Sequence, residues 1–418
     1  MRKFFVLFLF GAILLTGCDI IKPNVELMKP PQLDSKKASL KSYVDSLLSE
    51  DDTLISTTES GDFNTITLVD LDKDGNDEAV IIYQKEQDKQ HLISLIFKET
   101  DEGWEVLDKI QLNGVYLTNL DFADITNDGF PEIIIGSSVE YPRFSREKEY
   151  NLFKLNNGKM MNIYTDKLAN IVIDDLDQDG IADFVTIYHD EDISSVLTLY
   201  HYEGENFVSI DSISLPFEGS YYNVVSGLVT PTLKGILLDV GLGSRSASTN
   251  IITVENQSLR NNLQRSYTEP DPLWKDYHVE SGDINNDGII EIGTLRIPFG
   301  YENNSYATIP YITRFYQWDG KTGLIFINER FYSYSNGFYF DIPTDWEQNY
   351  TLHLSDDDSQ ITFITINENE PLFDIFISPI SDAEELPNKI EIARTNTRVY
   401  YTNFDDESLL QHFNLLSR

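Results

Sequence analysis

Nine residues, Asp70-Leu71-Asp72-Lys73-Asp74-Gly75-Asn76-Asp77-Glu78, place carboxylates at the first, third, fifth and ninth positions and glycine at the sixth. On a tight loop these oxygens converge on one small volume, where they repel one another unless a cation sits between them. A hard ion taking about six to eight oxygen ligands meets that demand, and Ca²⁺ is the usual one. Gly75 permits the sharp turn, and the main-chain carbonyl of Asn76 supplies a ligand at the seventh position. The expected ligand set is therefore Asp70, Asp72, Asp74, Asn76 and Glu78.

The pattern recurs three times. The second copy runs from Asp124 to Glu132 and offers Asp124, Thr126, Asp128, Phe130 and Glu132. The third, Asp175 to Asp183, offers Asp175, Asp177, Asp179, Ile181 and Asp183. The fourth, Asp283 to Glu291, offers Asp283, Asn285, Asp287, Ile289 and Glu291. Phe130, Ile181 and Ile289 enter through their main-chain carbonyls. Loops one and three carry four carboxylates and loops two and four carry three, so the first pair is expected to hold calcium more tightly. Other chemistry is not marked. His91, His189, His201, His278, His353 and His412 show no zinc spacing, and neither H-E-x-x-H nor G-x-S-x-G occurs. No catalytic residue is assigned.

The elements that position these loops follow from their flanks. Ile66–Val69 and Ala79–Tyr83 are rich in β-branched residues, so each loop joins two strands rather than the two helices of an EF-hand. Two more strands follow in the first unit, at Leu92–Phe97 and Trp104–Leu107. The loops start at 70, 124, 175 and 283, which are 54, 51 and 108 residues apart. The last interval is twice the first, and a copy that has lost its carboxylates lies between, at Gly227–Asp239. Five units of about 50 residues suit a blade of four strands.

With these residues in view, the chain resembles the FG-GAP/VCBS repeats, the calcium-loop propellers of which the integrin α head is the best known. Its signature, D-x-[DN]-x-D-G-x-x-[DE], is matched at 70–78, 175–183 and 283–291, while the copy at 124–132 departs from it at Thr126. The resemblance spans residues 61–332. It implies a mainly β fold, a β-propeller with calcium-loop hairpins; integrin heads and many relatives close with seven blades, whereas the repeats of this chain give about five four-stranded blades and up to four Ca²⁺ ions, with none in the degenerate fourth blade. Members of the family range from adhesion receptors to enzymes, so no single activity follows.

The ends of the chain read differently. Met1-Arg2-Lys3, an apolar run from Phe4 and the ending Leu15-Thr16-Gly17-Cys18 have the layout of a signal peptide over 1–17. The ending resembles the bacterial lipobox, which implies lipidation of Cys18, the single cysteine of the chain. The expected location is the bacterial cell membrane, lipid-anchored and facing the extracytoplasmic side. Residues 18–60 are read as anchor, proline-bearing tether and an amphipathic helix at Ser35–Ser49. Residues 333–418 are read as a small C-terminal α+β domain, closing with a helix from Asp405 to Leu416.

The formal charge is -38, from 69 acidic and 31 basic side chains, which argues against nucleic acid as a partner. The loops opposite the acidic turns supply a candidate ligand rim. Those of the second, fourth and fifth units are read as long and carry Tyr141, Arg143, Phe144, Arg146, Arg245, Phe299, Tyr301 and Tyr306. Aromatic and arginine side chains on loops are what binding surfaces use. The expected function is a lipid-anchored module that binds a protein or glycan. The alternative is a propeller enzyme acting on extracellular polysaccharide through a pair of carboxylates.

Overall fold

The computed structural model of the protein describes residues 35–57, 65–142, 145–190, 194–216, 219–263, 273–381 and 389–416. Cys18, with the leader and tether over 1–34, lies outside these residues, as do Arg143 and Phe144.

Alternating apolar residues build six antiparallel sheets among the described residues. The first contains β1 (Thr53–Ile55), β2 (Thr67–Val69), β3 (Glu78–Lys85), β4 (Asp88–Thr100) and β5 (Gly103–Asn113). The second is the meander β6 (Tyr116–Ala123), β7 (Glu132–Ser138), β8 (Lys148–Asn156) and β9 (Lys159–Leu168). The third is β10 (Asn170–Asp174), β11 (Asp183–Asp190), β12 (Ser194–Glu203) and β13 (Asn206–Pro216). The fourth is β14 (Ser220–Thr230), β15 (Leu233–Gly243), β16 (Ser246–Glu255) and β17 (Ser258–Asn262), with β18 (Trp274–Lys275) added beside β16. These are the expected units, and the degenerate fourth keeps its hairpin with the turn Pro231–Thr232 in place of an acidic loop.

The fifth sheet departs from the meander. Its first strand is reduced to one bridge, Gly282 to Glu291. Its strands are β19 (Ile292–Arg296), β20 (Ile312–Trp318), β21 (Leu324–Ser333) and β22 (Phe338–Ile342). The sixth sheet is β23 (Tyr350–Leu354), β24 (Gln360–Thr365), β25 (Pro371–Pro379), β26 (Ile390–Arg394) and β27 (Arg398–Thr402), ordered with β27 between β25 and β26.

The helix expected over 405–416 is not formed. One turn, α2 (Glu407–Leu410), is capped by Asp406, and the chain then extends into β28 (Phe413–Leu415). β28 pairs with β22, Phe413 opposite Phe340, so the chain end completes the fifth sheet. The open edge of β22 supplies hydrogen bonds that outweigh the helical spacing of Leu409, Leu410, Phe413 and Leu416. Among the described residues the regular structure of the C-terminal segment is thus mainly β, with one 3-10 turn at Thr344–Trp346 and the single turn of α2.

Core clusters link each sheet to the next. Val80 and Ile82 of β3 pack with Leu117, Ile133 and Ile135 of the second sheet. Their neighbours Ala79, Ile81 and Tyr83 point to the opposite face, onto Leu40 and Val44 of α1 (Ser35–Leu47). The expected amphipathic helix therefore packs on the first sheet. The Trp104 indole fixes it by donating to Ser39 Oγ at 3.1 Å. Ile312, Phe331 and Phe340 of the fifth sheet share one cluster with Tyr350, Phe363, Phe373 and Tyr400 of the sixth. The rings of Phe340 and Phe373 stack at 5.0 Å.

Candidate functional site: four acidic loops

The four acidic stretches fold into the same loop. The fourth residue of each, Lys73, Asn127, Gln178 and Asn286, has φ of 55, 53, 61 and 61°. The sixth, Gly75, Gly129, Gly180 and Gly288, has φ of 89, 91, 91 and 86°, a conformation that favours glycine. Each of these glycines donates its N–H to the first aspartate: Asp70 at 3.1 Å, Asp124 at 2.8 Å, Asp175 at 3.1 Å and Asp283 at 2.9 Å. The seventh residues, Asn76, Phe130, Ile181 and Ile289, donate their N–H to the fifth aspartate at 2.8, 3.1, 2.8 and 2.8 Å.

The ninth carboxylate closes each loop from below. Glu78, Glu132, Asp183 and Glu291 accept from the N–H of the second residue at 2.9, 2.8, 2.9 and 2.9 Å. It stands at the start of the second strand of the hairpin, except in the fifth sheet, where Glu291 immediately precedes β19. Glu78, Glu132 and Glu291 have no solvent exposure. Burial pushes all three carboxyls up and pushes Asp183 up to about 6.

The donor sets fit a hard cation. In each loop, one oxygen from each of three acidic residues lies within 4.8 Å of the other two. These are Asp70, Asp72 and Glu78; Asp124, Asp128 and Glu132; Asp175, Asp177 and Asp179; and Asp283, Asp287 and Glu291. Asp70 Oδ1, Glu78 Oε1 and Asp175 Oδ1 are buried without a hydrogen-bond partner. Orphaned carboxylate oxygens turned inward are what a site for an oxygen-seeking ion leaves behind. At the third position Asn285 Oδ1 accepts from Asp287 N at 2.8 Å. Thr126 faces inward in loop two, its hydroxyl donating to Glu132 Oε1 at 2.9 Å.

Three residues absent from the sequence-based ligand sets also reach these loops. Lys98 Nζ lies 2.6 Å from Asp72 Oδ2 and 3.1 Å from Asp74 Oδ2. Lys154 pairs with Asp128 and donates to Thr126 Oγ1 at 3.0 Å. Gln317 Nε2 donates to Asp287 Oδ2 at 2.9 Å and to Glu291 Oε1 at 2.7 Å. All three come from the strand next to the hairpin. Ala79 pairs with Phe97, Ile133 with Phe153 and Ile292 with Tyr316, and the following residue falls beside the ninth carboxylate. The signal in the sequence is an aromatic residue followed by a polar one at the same point of each unit that has an acidic loop: Phe97-Lys98, Phe153-Lys154, Tyr200-His201 and Tyr316-Gln317.

The candidate rim is only partly as expected. The fourth unit has no long loop there. β15 and β16 are joined by the turn Ser244–Arg245, because the Gly241-Leu242-Gly243 stretch continues the strand. Arg245 stacks over Tyr306 of the fifth unit at 4.2 Å, so two expected rim residues meet. Tyr141 packs edge-on against Tyr116 at 5.5 Å. Arg146 lines a cleft of about 680 Å³ with Glu140, Lys148, Tyr188 and His189. Phe299 and Tyr301 lean towards the sixth sheet: Thr351 Oγ1 donates to the Phe299 carbonyl at 2.7 Å, and the Leu354 backbone bonds the Tyr301 hydroxyl.

No protein-family model matches this chain, and no curated protein matches it. Among solved structures it is similar to the crystal structure of a protein from Lactobacillus plantarum, at 10% identity over 73% of this chain and 82% of that one, with a TM-score of 0.33. The sheets themselves describe a mainly β protein built largely from successive four-stranded antiparallel units among the described residues.

Proposed function

We propose that this chain is a lipid-anchored, extracytoplasmic binding module whose scaffold is a propeller-like succession of FG-GAP/VCBS-type units stapled by Ca²⁺. The observation that carries the reading is the fourfold repetition of one loop, each with converging carboxylates and a ninth carboxylate in desolvated surroundings. One aspartate or glutamate turned inward has many structural uses. Four loops with the same glycine, the same turn and three acidic oxygens drawn together have a common purpose, and a hard divalent cation serves it. Asp70, Asp72, Asp74 and Glu78 would hold the ion in loop one, and the equivalent residues would hold it in the others. The ion would neutralise buried carboxylates and tie each hairpin together.

The anchor rests on Cys18 within Leu15-Thr16-Gly17-Cys18. The ligand is a protein or glycan met by the rim, where Arg245 and Tyr306 present a stacked cationic and aromatic pair.

The test is thermal unfolding of the full chain in excess EDTA and in about 1 mM Ca²⁺ at matched ionic strength. With dissociation constants of ~10⁻⁴–10⁻³ M, each occupied site adds about 0.4–1.4 kcal/mol by mass action. A higher midpoint in Ca²⁺, with Mg²⁺ giving little, is expected. Equal midpoints together with a metal-free sample by elemental analysis would refute the calcium scaffold.

A further inference from the structure

Loops one and two contain a cation of the protein's own. The Lys98 ammonium contacts Asp72 and Asp74 and stands 3.8 Å from Glu78 Oε1. The Lys154 ammonium pairs with Asp128, donates to the hydroxyl oxygen of Thr126, and stands 4.0 Å from Glu132 Oε1. The equivalent residue of loop four is the neutral Gln317. The equivalent residue of loop three is His201, which is exposed to solvent.

We propose that Lys98 and Lys154 are resident counter-ions that compete with Ca²⁺, so that the loops fill in a fixed order: three first, two last. The inference rests on the calcium reading above and corrects the ranking that carboxylate count alone predicts.

Charge and reach set the order. An ammonium and Ca²⁺ seek the same oxygens. A tethered ammonium has a high local concentration at a site it already touches, and it must leave before the metal takes all its ligands. It carries one charge and three donors, against two charges and about six to eight coordination positions for the metal. Lysine therefore satisfies loop one incompletely. Glu78 Oε1 and Asp70 Oδ1 stay buried without a hydrogen-bond partner beside it. Those two oxygens are the reason a divalent ion can still displace Lys98. In loop two the case for the metal is weaker. Both oxygens of Glu132 are engaged, one by the N–H groups of Ile125 and Thr126 and the other by the Thr126 hydroxyl, and the third position offers no carboxylate. Loop three has four carboxylates, an orphaned Asp175 Oδ1 and no lysine at the equivalent position. Loop four has three carboxylates and a neutral amide.

The experiment is calcium binding to the full chain by equilibrium dialysis across free Ca²⁺ from micromolar to millimolar. The variants are Lys98→Gln, Lys154→Gln, Lys98→Arg and Asp179→Asn. Glutamine is chosen because loop four already accommodates it at this position. Lys98→Gln is expected to tighten one weak site by about tenfold, and Lys154→Gln another. Lys98→Arg, which keeps the cation, is expected to retain the wild-type isotherm. Asp179→Asn is expected to remove the tightest site.

If Lys98→Gln and Lys154→Gln bind as the wild type does while Asp179→Asn loses a site, the lysine inference is overturned and the calcium scaffold stands. If no variant and no wild-type sample binds calcium, both fall. If Lys98→Arg tightens binding as much as Lys98→Gln, the effect is not one of charge, and the inference fails.

Discussion

Lys275→Met removes one half of an ion pair in which both side chains have no solvent exposure. Nζ stands 2.7 Å from Asp239 Oδ1. The pair joins the fourth sheet to the segment that leads into acidic loop four, since Ser281 precedes Asp283 by two residues. Asp239 also accepts from Asn223 Nδ2 at 2.8 Å, Thr249 Oγ1 at 2.6 Å, Ser281 N at 2.7 Å and Ser281 Oγ at 2.9 Å. Breaking a buried pair by deleting one partner costs about 3–5 kcal/mol, because the other charge stays buried. Lys275→Met falls at the low end of that range, since four donors still hold the Asp239 carboxylate. Asp239→Ala is worse. It leaves the ammonium with the Val279 carbonyl at 2.6 Å and a long contact to Ser281 Oγ at 3.4 Å. With a urea slope of about 2 kcal/mol per molar, Lys275→Met lowers the midpoint by about 1.5 M and Asp239→Ala by about 2–2.5 M. The pair Lys275→Met with Asp239→Leu loses less than the two single changes combined, because it strands no charge. The assay is urea unfolding of the full chain followed by tryptophan fluorescence, with Trp274 next to the changed residue. A Lys275→Met midpoint within about 0.3 M of wild type would show that the buried pair does not hold these segments together.

Glu329 is buried between Arg296 at 2.9 Å, Arg314 at 2.6 Å and the Tyr350 hydroxyl at 2.5 Å, joining the fifth sheet to the sixth. Burial works to raise its carboxyl, but the arginines and Tyr350 prevail and hold it below the ordinary value of 4.5. Its contribution is therefore complete above that value and is lost as the pH falls through the lower, folded one. The stability gap between wild type and Glu329→Gln should shrink below about pH 4.5, and a gap that widened on acidification would contradict the network. Leu40 is fully buried between α1 and the first sheet. Leu40→Ala is expected to cost about 2–5 kcal/mol in chemical unfolding, whereas Leu47→Ala, at an exposed position of the same helix, should stay within about 0.5 kcal/mol of wild type.

Much of the loop architecture was legible in the residues. Glycine at the sixth position and aspartate at the first and fifth act over a span of nine residues, and their hydrogen bonds close within the loop itself. The strands around them are set by period-two alternation, as in Ala79 to Tyr83, where successive side chains serve opposite faces. The helix over Ser35–Leu47 was likewise readable from Leu40 and Val44, which are the residues it buries.

What local pattern could not convey is where distant chain comes to rest. Phe413 and its neighbours have helical spacing, but the open edge of β22 offers a partner, and pairing with it wins. Arg245 sits in a tight turn because strand pairing continues through the preceding glycines. Lys98 lies 26 residues from Asp72 and reaches it only because the register of β3 against β4 brings Lys98 beside Glu78. The sequence by itself determined four acidic turns and the strands that carry them, because those depend on dihedral preferences and contacts within a few residues. The tertiary structure alone decided which of the turns already holds a cation, because that depends on the register between strands, which packing of whole sheets sets.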